Sequence, residues 1–222
     1  MTVKKSGAII HYSGLAGDTK PTGTTVPIGS TFYEYDTNDT YFTPDNTNWY
    51  VKDSKSTKIV TVQNTISAAG AYASGDVIST TSAATALTWD FLGAAGANGG
   101  NGEIVQALIE SDSNICSAVP ILHIFTTSAP NSVRTDNSQG NAPTQADVST
   151  NVYIGHIDFP VMSAFGATTA NSQAALYSTA SCLPLHFVCA SGEDDIHGIL
   201  MTATAATFAS KTITIKLWVK RH

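Results

Sequence analysis

The sequence predicts an all-β chain: an antiparallel β-sandwich, jelly-roll-like, with a small N-terminal β-hairpin arm. Three observations carry this reading. Residues 212–220 alternate strictly, with Ile213, Ile215, Leu217 and Val219 on one side and Thr212, Thr214, Lys216, Trp218 and Lys220 on the other, the period of a half-buried strand. About eight short apolar or β-branched runs recur between turn signals, and no segment shows a convincing amphipathic helix. Only 13% of the chain is charged, well below the ~25% of an average soluble domain, while Thr, Ser, Ala and Asn abound.

The elements follow in order. Residues 1–30 are polar and rich in Thr, Gly and Pro, and read as an arm or linker with extended backbone around Lys20-Pro21 and Val26-Pro27. Next come three aromatic runs, 32–35, 41–42 and 49–51, separated by Thr37-Asn38-Asp39 and Pro44-Asp45-Asn46. Asn and Asp tolerate positive φ and Pro presets the first turn dihedral, so this is a meander of two hairpins. Seven aromatics fall within its nineteen residues, either as a local core or as an interface. The chain is therefore divided into an arm and hairpin module at 1–55 and a sandwich at 56–222.

In the sandwich, strands are expected at 59–66, 77–78, 87–92, 120–127, 152–159, 183–189, 198–204 and 212–220. Ile104, Val105, Leu108 and Ile109 lie at a spacing that suits a helix as well as a strand. The polar stretches 128–150 and 166–181 read as long surface loops. A Ser-Gly-Asp turn at 74–76 precedes a run from Gly93 to Gly102 whose side chains are all small.

That glycine run invites a phosphate-binding reading, which its surroundings reject. No Lys-Ser or Lys-Thr follows it, and no βαβ alternation surrounds it, so both the P-loop and the dinucleotide mechanisms lack their parts. Glycines that permit positive φ and close backbone approach explain it better. The six histidines show no HxH or HExxH spacing, and His123, His156 and His186 fall inside expected strands as hydrogen-bonded sheet residues. The acidic run Glu193, Asp194 and Asp195 reads as a solvated turn, without the alternating ligands of a calcium loop. Cys116, Cys182 and Cys189 have no CxxC spacing and read as buried free thiols. There is no GxSxG. The reading is of a non-enzyme with no catalytic residue, cofactor or metal.

Eleven basic against seventeen acidic residues, with no basic cluster, argue against nucleic acid as a partner. No apolar run is long enough to span a bilayer, and the first ten residues lack a signal-peptide pattern, so folding in a cytosol is expected.

The segments YASGDVIS, LGAAGANGGNGEIVQALIES, PILHIFTTSAP and ITIKLWVK together resemble a group of tailed-bacteriophage virion proteins of similar length. In that group a YxxGDVIG-like turn precedes an A-R-x-N-G-G-S-G-like loop. Gly96 and Asn101 stand here where the group has Arg and Ser. STFYEYDTNDTYFTPDNTNWYVK is similar to a hairpin module of phage structural proteins. The resemblance implies that 104–109 is a strand and that the role is structural: capsid decoration or head fibre, on the virion exterior after assembly in the host cytoplasm, as a symmetric homo-oligomer, often a trimer. The partners would be other copies of the chain and the major capsid protein, with Phe32, Tyr33, Tyr35, Phe42 and Trp49 as anchor candidates. The alternative is a tail-fibre or baseplate module that recognises host surface glycan through exposed aromatics and the 193–195 loop.

Overall fold

In the computed structural model, residues 9–37, 39–54, 57–66, 71–80, 89–96, 98–112, 118–128, 131–150, 152–164, 169–175, 182–207 and 211–222 are described. The chain divides into two compact units, Met1–Thr57 with Lys220–His222, and Lys58–Val219.

The first unit is a four-stranded sheet in the order β1-β2-β3-β4, formed by β1 (His11–Gly14), β2 (Thr31–Glu34), β3 (Asp39–Phe42) and β4 (Tyr50–Ser54). The last three form the expected antiparallel meander. The expected linker differs: its residues 11–14 add β1 parallel to β2, with Tyr12 opposite Phe32 and Ser13 opposite Tyr33. The aromatic side chains of β2 present more apolar surface than a three-stranded meander covers, and the polar segment folds back to cover it.

The second unit runs through β5 (Thr57–Thr65), β6 (Ala71–Tyr72), β7 (Trp89–Phe91), β8 (Asn101–Ser111) and β9 (Pro120–Phe125) to a short helix, α1 (Gln145–Ser149). It continues with β10 (Tyr153–Asp158), β11 (Ser163–Ala164), β12 (Ala170–Ala175), β13 (Leu185–Val188), β14 (Ile196–Thr202), β15 (Ala206–Thr207) and β16 (Thr212–Arg221). One sheet has the order β10-β9-β14-β7; the other has β11-β12-β8-β16-β5, with β13 also paired to β8. In chain order the outermost principal strands pair (β5 with β16, β7 with β14) and the inner ones lie beside them, which is the pairing of a jelly roll.

The two sheets face each other across one core. Ile104, Ala107, Ile109, Ile213, Ile215, Leu217 and Val219 come from one, and Trp89, Phe91, Leu122, Ile124, Ile157 and Leu200 from the other. β16 buries the four residues its alternation named.

β8 resolves the ambiguous segment as a strand of eleven residues. Its inward positions are Gly102 and Ile104, then Ala107, Ile109 and Ser111. That parity slips by one between Ile104 and Ala107. The slip lies where β8 changes neighbour, from β13 at 101–104 to β12 at 106–111. Of the four apolar residues with helix-like spacing, Ile104 and Ile109 are buried, whereas Val105 and Leu108 are only half-buried.

Both long polar stretches contain regular structure where loops were expected. Residues 170–175 form β12 against β8, held by backbone pairing despite a run without β-branched residues. Residues 145–149 form α1, whose N-cap Thr144 and N3 Asp147 make a reciprocal capping box. Asp147 is buried. Burial pushes its carboxyl up, but hydrogen bonds from Ser132, Thr144 and Asn131 outweigh this and hold it below the usual carboxylate range.

The stretch 131–150 packs on the outer face of the β10-β9-β14-β7 sheet, over a small cluster of Val77, Phe125 and Ile199. Asp136 is buried there and accepts from Tyr72 Oη at 2.8 Å and from the Ser79 amide at 2.7 Å. The Ser-Gly-Asp turn is confirmed in detail. Asp76 accepts from the Ala73 amide, and Gly75 has φ +88° with Gln139 within 2.4 Å of where a Cβ would sit.

Candidate interaction surface

The first unit has two chemically different faces, and strand register assigns its aromatics between them. Tyr12, Phe32 and Tyr41 are opposite one another across β1, β2 and β3, so they share one face. Tyr33, Phe42 and Tyr50 lie on the other, since Tyr33 is opposite Thr40, Thr31 opposite Phe42, and Phe42 opposite Tyr50. Tyr35 lies in the turn just past β2, but its amide donates to the Gly14 carbonyl at 3.1 Å, which continues the β1–β2 pairing and keeps the alternation of Tyr33.

The inner face is closed by the chain between β1 and β2. Trp49 meets Tyr12 and Phe32 edge-on, at centroid distances of 6.1 and 6.0 Å, and its Nε1 donates to the Pro21 carbonyl at 2.7 Å. Lys20 reaches over the Tyr41 ring, 4.1 Å from its centroid, to pair with Glu34 at 2.5 Å. Glu34 is only 2% exposed and also accepts from Thr37 Oγ1. Burial, with Glu34 and Asp39 adding negative charge, pushes the Tyr41 hydroxyl up to about 12, so it stays a neutral donor toward Glu34. A buried ion pair contributes little net stability, but losing one partner strands the other charge. Its effect here is to hold residues 15–27 in one arrangement over the sheet.

The outer face is open. Tyr35 is 57% exposed, Tyr50 49% and Tyr33 41%, with Phe42 half-buried against Tyr50 at 6.0 Å between rings. Ile9, Ile10, Leu15 and Ile28 of the same unit are also exposed. Of the five anchor candidates, Tyr33, Tyr35 and Phe42 therefore share the outer face. Phe32 is buried and Trp49 half-buried on the inner one. Tyr50 is the outer-face member not chosen from the sequence. Its pairing with Phe42 across a bulged hairpin is set by register, which the aromatic count does not disclose.

The other sequence candidates have structural roles. The 193–195 segment follows an exposed turn, with Glu193 exposed as expected, and it also holds the glycine run. Ala95 N donates to Asp194 O and Gly99 N to Glu193 O, each at 2.8 Å, and Gly93 N donates to Asp195 Oδ1 at 2.6 Å. Gly99 has φ +71° and lies against Ser191. A β-branched residue is strained at that φ, so Gly99→Val is expected to cost about 2–3 kcal/mol in urea unfolding. A loss below 0.5 kcal/mol would mean that the loop relaxes freely.

Of the thiols, Cys189 is buried, and burial with Asp194, Asp195 and Glu193 nearby pushes it up to about 11, unreactive at neutral pH. Cys182 is exposed, against expectation, because it sits in the connection before β13 and not on an inward strand position. Cys116 lies outside the described residues. His186 is exposed beside Glu103 at 3.6 Å. His123 and His156 flank the Tyr153 hydroxyl, at 3.3 and 3.1 Å from their Nδ1 atoms, and Asp158 is 3.5 Å from His156. Burial pushes the Tyr153 hydroxyl up to about 12.

Fold and surface together define a jelly-roll sandwich protein with a separate small sheet that displays tyrosines. No protein-family model, no curated protein and no solved structure matches this chain.

Proposed function

We propose that this chain is a non-enzymatic structural protein of a bacteriophage virion, of the capsid-decoration or head-fibre type. The outer face of its N-terminal sheet docks on the major capsid protein, and the jelly roll forms a homo-oligomeric body, a trimer. The observation that carries the docking assignment is the grouping of Tyr33, Tyr35 and Tyr50 on one open face of a sheet whose other face is already covered. Tyrosine combines a large apolar ring with a polar tip and few rotatable bonds, which suits an interface core on a surface that must stay soluble when unbound. The virion assignment is supported by the phage-like segments and by the low charge of the chain. The glycan alternative would use the same exposed tyrosines, or the Glu193 and Asp194 carboxylates, since among the described residues only the Asp195 carboxylate of the acidic run is engaged with the glycine run.

A triple variant, Tyr33→Ser with Tyr35→Ser and Tyr50→Ser, tests this directly. In co-sedimentation with capsids lacking the protein, binding is expected to fall about a hundred-fold, as for loss of several aromatic hot spots. Circular dichroism and oligomeric state should be unchanged. Full binding by the folded triple variant would remove the docking role. Imaging that finds a few copies at the tail in place of many on the shell would remove the decoration assignment.

A further inference from the structure

A second surface, wholly within the jelly roll, has a different chemistry and does not depend on the docking reading. The outward side chains of β5, β16, β8 and β12 enclose a cleft of about 300 Å³, at the lower end of ligand-site volumes. Its polar lining comprises Gln63, Glu110, Asp112, Asn171, Thr212 and Thr214, among others, and among the described residues no aromatic or branched aliphatic side chain lines it. Gln63 Nε2 donates to Thr214 Oγ1 at 3.1 Å, and Lys216 pairs with Glu110 through Oε2 at 2.8 Å. These groups come from neighbouring strands of one sheet, and Asn171 is directly opposite Glu110.

The lining selects its ligand by exclusion and by match. Among the described residues the apolar part of the wall comes from small groups, Ala170 and the threonine methyls, which suit the C–H face of a sugar ring better than a lipid chain or a flat aromatic compound. Among the described residues no Lys or Arg lines the cleft itself, and Lys216 is held by Glu110 at its edge, so Asp112 leaves an excess of negative charge that disfavours phosphate, sulfate and nucleic acid. What remains is a compact, uncharged body that offers many donors and acceptors. Carboxylates only accept, whereas amides and hydroxyls do both. We infer that this cleft binds a neutral saccharide, with sugar hydroxyls donating to Glu110 and Asp112 and sugar oxygens accepting from Gln63 and Asn171.

A shallow polar site competes with water, so a monosaccharide should bind with a dissociation constant of about 1 mM. The test is saturation-transfer difference NMR on the full chain with galactose, glucose, mannose and N-acetylglucosamine in turn. At least one should give a signal that persists in EDTA and in the Tyr33, Tyr35 and Tyr50 triple variant. That signal should weaken about ten-fold in Asp112→Ala and in Gln63→Ala, as expected for loss of one hydrogen bond to a charged group or of an amide. Both positions are exposed, so folding is not at risk. No signal from any of the four sugars would overturn the inference. So would an undiminished signal in both variants, or a signal that appears only with added calcium, which would make the cleft a cation site.

Discussion

Phe91→Ala is expected to lower the unfolding free energy by about 3–5 kcal/mol, a large share of the 5–15 kcal/mol that stabilises a typical domain. Among the described residues β7 has three residues and is the edge strand of its sheet, paired to β14. Its attachment therefore depends on Trp89 and Phe91, both buried, while Asp90 between them points outward to His197 at 2.6 Å. Gly198 lies under the Phe91 ring and has no side chain to move into the space an alanine would leave. Leu122, which also packs at Gly198, is the neighbour that can shift toward the cavity, and the less it does so the nearer the cost comes to the top of the range. Phe91→Leu, which keeps most of the volume, should lose less than about 1.5 kcal/mol. Urea unfolding followed by tryptophan fluorescence measures both. A Phe91→Ala loss under 1 kcal/mol would mean that the ring is not part of the sandwich core.

Acidification from neutral pH to pH 4 is expected to remove on the order of 2–3 kcal/mol of stability through His123 alone. Burial first, then the neighbouring His156, lower its pKa from 6.5 to about 4. Between those values the unfolded chain binds a proton that the folded one refuses, so stability rises with pH across the window. The contribution is complete above pH 6.5 and gone below about pH 4. The groups facing the ring are the Tyr153 hydroxyl and His156, itself beside Asp158, so no carboxylate contacts His123 to rescue its charged form among the described residues. In His123→Gln the amide retains a polar partner for Tyr153 and does not titrate. Urea unfolding at pH 7, 5.5 and 4 should show the wild type losing more stability than the variant, with the gap opening below pH 6.5. Parallel losses would show that His123 is solvated.

Much of the fold was legible in local pattern. The alternation of residues 212–220 named the four side chains that β16 buries, and the turn residues at 37–39 and 44–46 separated β2, β3 and β4. Three elements were not. β1 and β12 are polar, and their strand state comes from pairing with β2 and β8 and not from their own side chains. The spacing in β8 was misleading because apolar residues occupy both faces of the strand, Ile104 and Ile109 buried and Val105 and Leu108 half-buried. The candidate surface was half legible. The aromatic count marked the right segment, but the separation of Phe32 and Trp49 from Tyr33, Tyr35 and Phe42 follows only from register and from the covering loop.

By itself, then, the sequence determined the class: period-two hydrophobicity, turn chemistry and the lack of helical patterning leave an antiparallel β-protein, because these are properties of neighbours along the chain. Which strand lies beside which, and so which tyrosines reach solvent and which polar side chains converge on one cleft, was decided by tertiary structure. Glu110 and Lys216 are far apart in sequence yet lie 2.8 Å apart across adjacent strands. The glycine run took its meaning from residues 189–195, whose carbonyls and Asp195 carboxylate require backbone to approach backbone closely at Gly93 and Gly99. Such pairings are contacts between distant residues, and nothing in the composition of either segment specifies them.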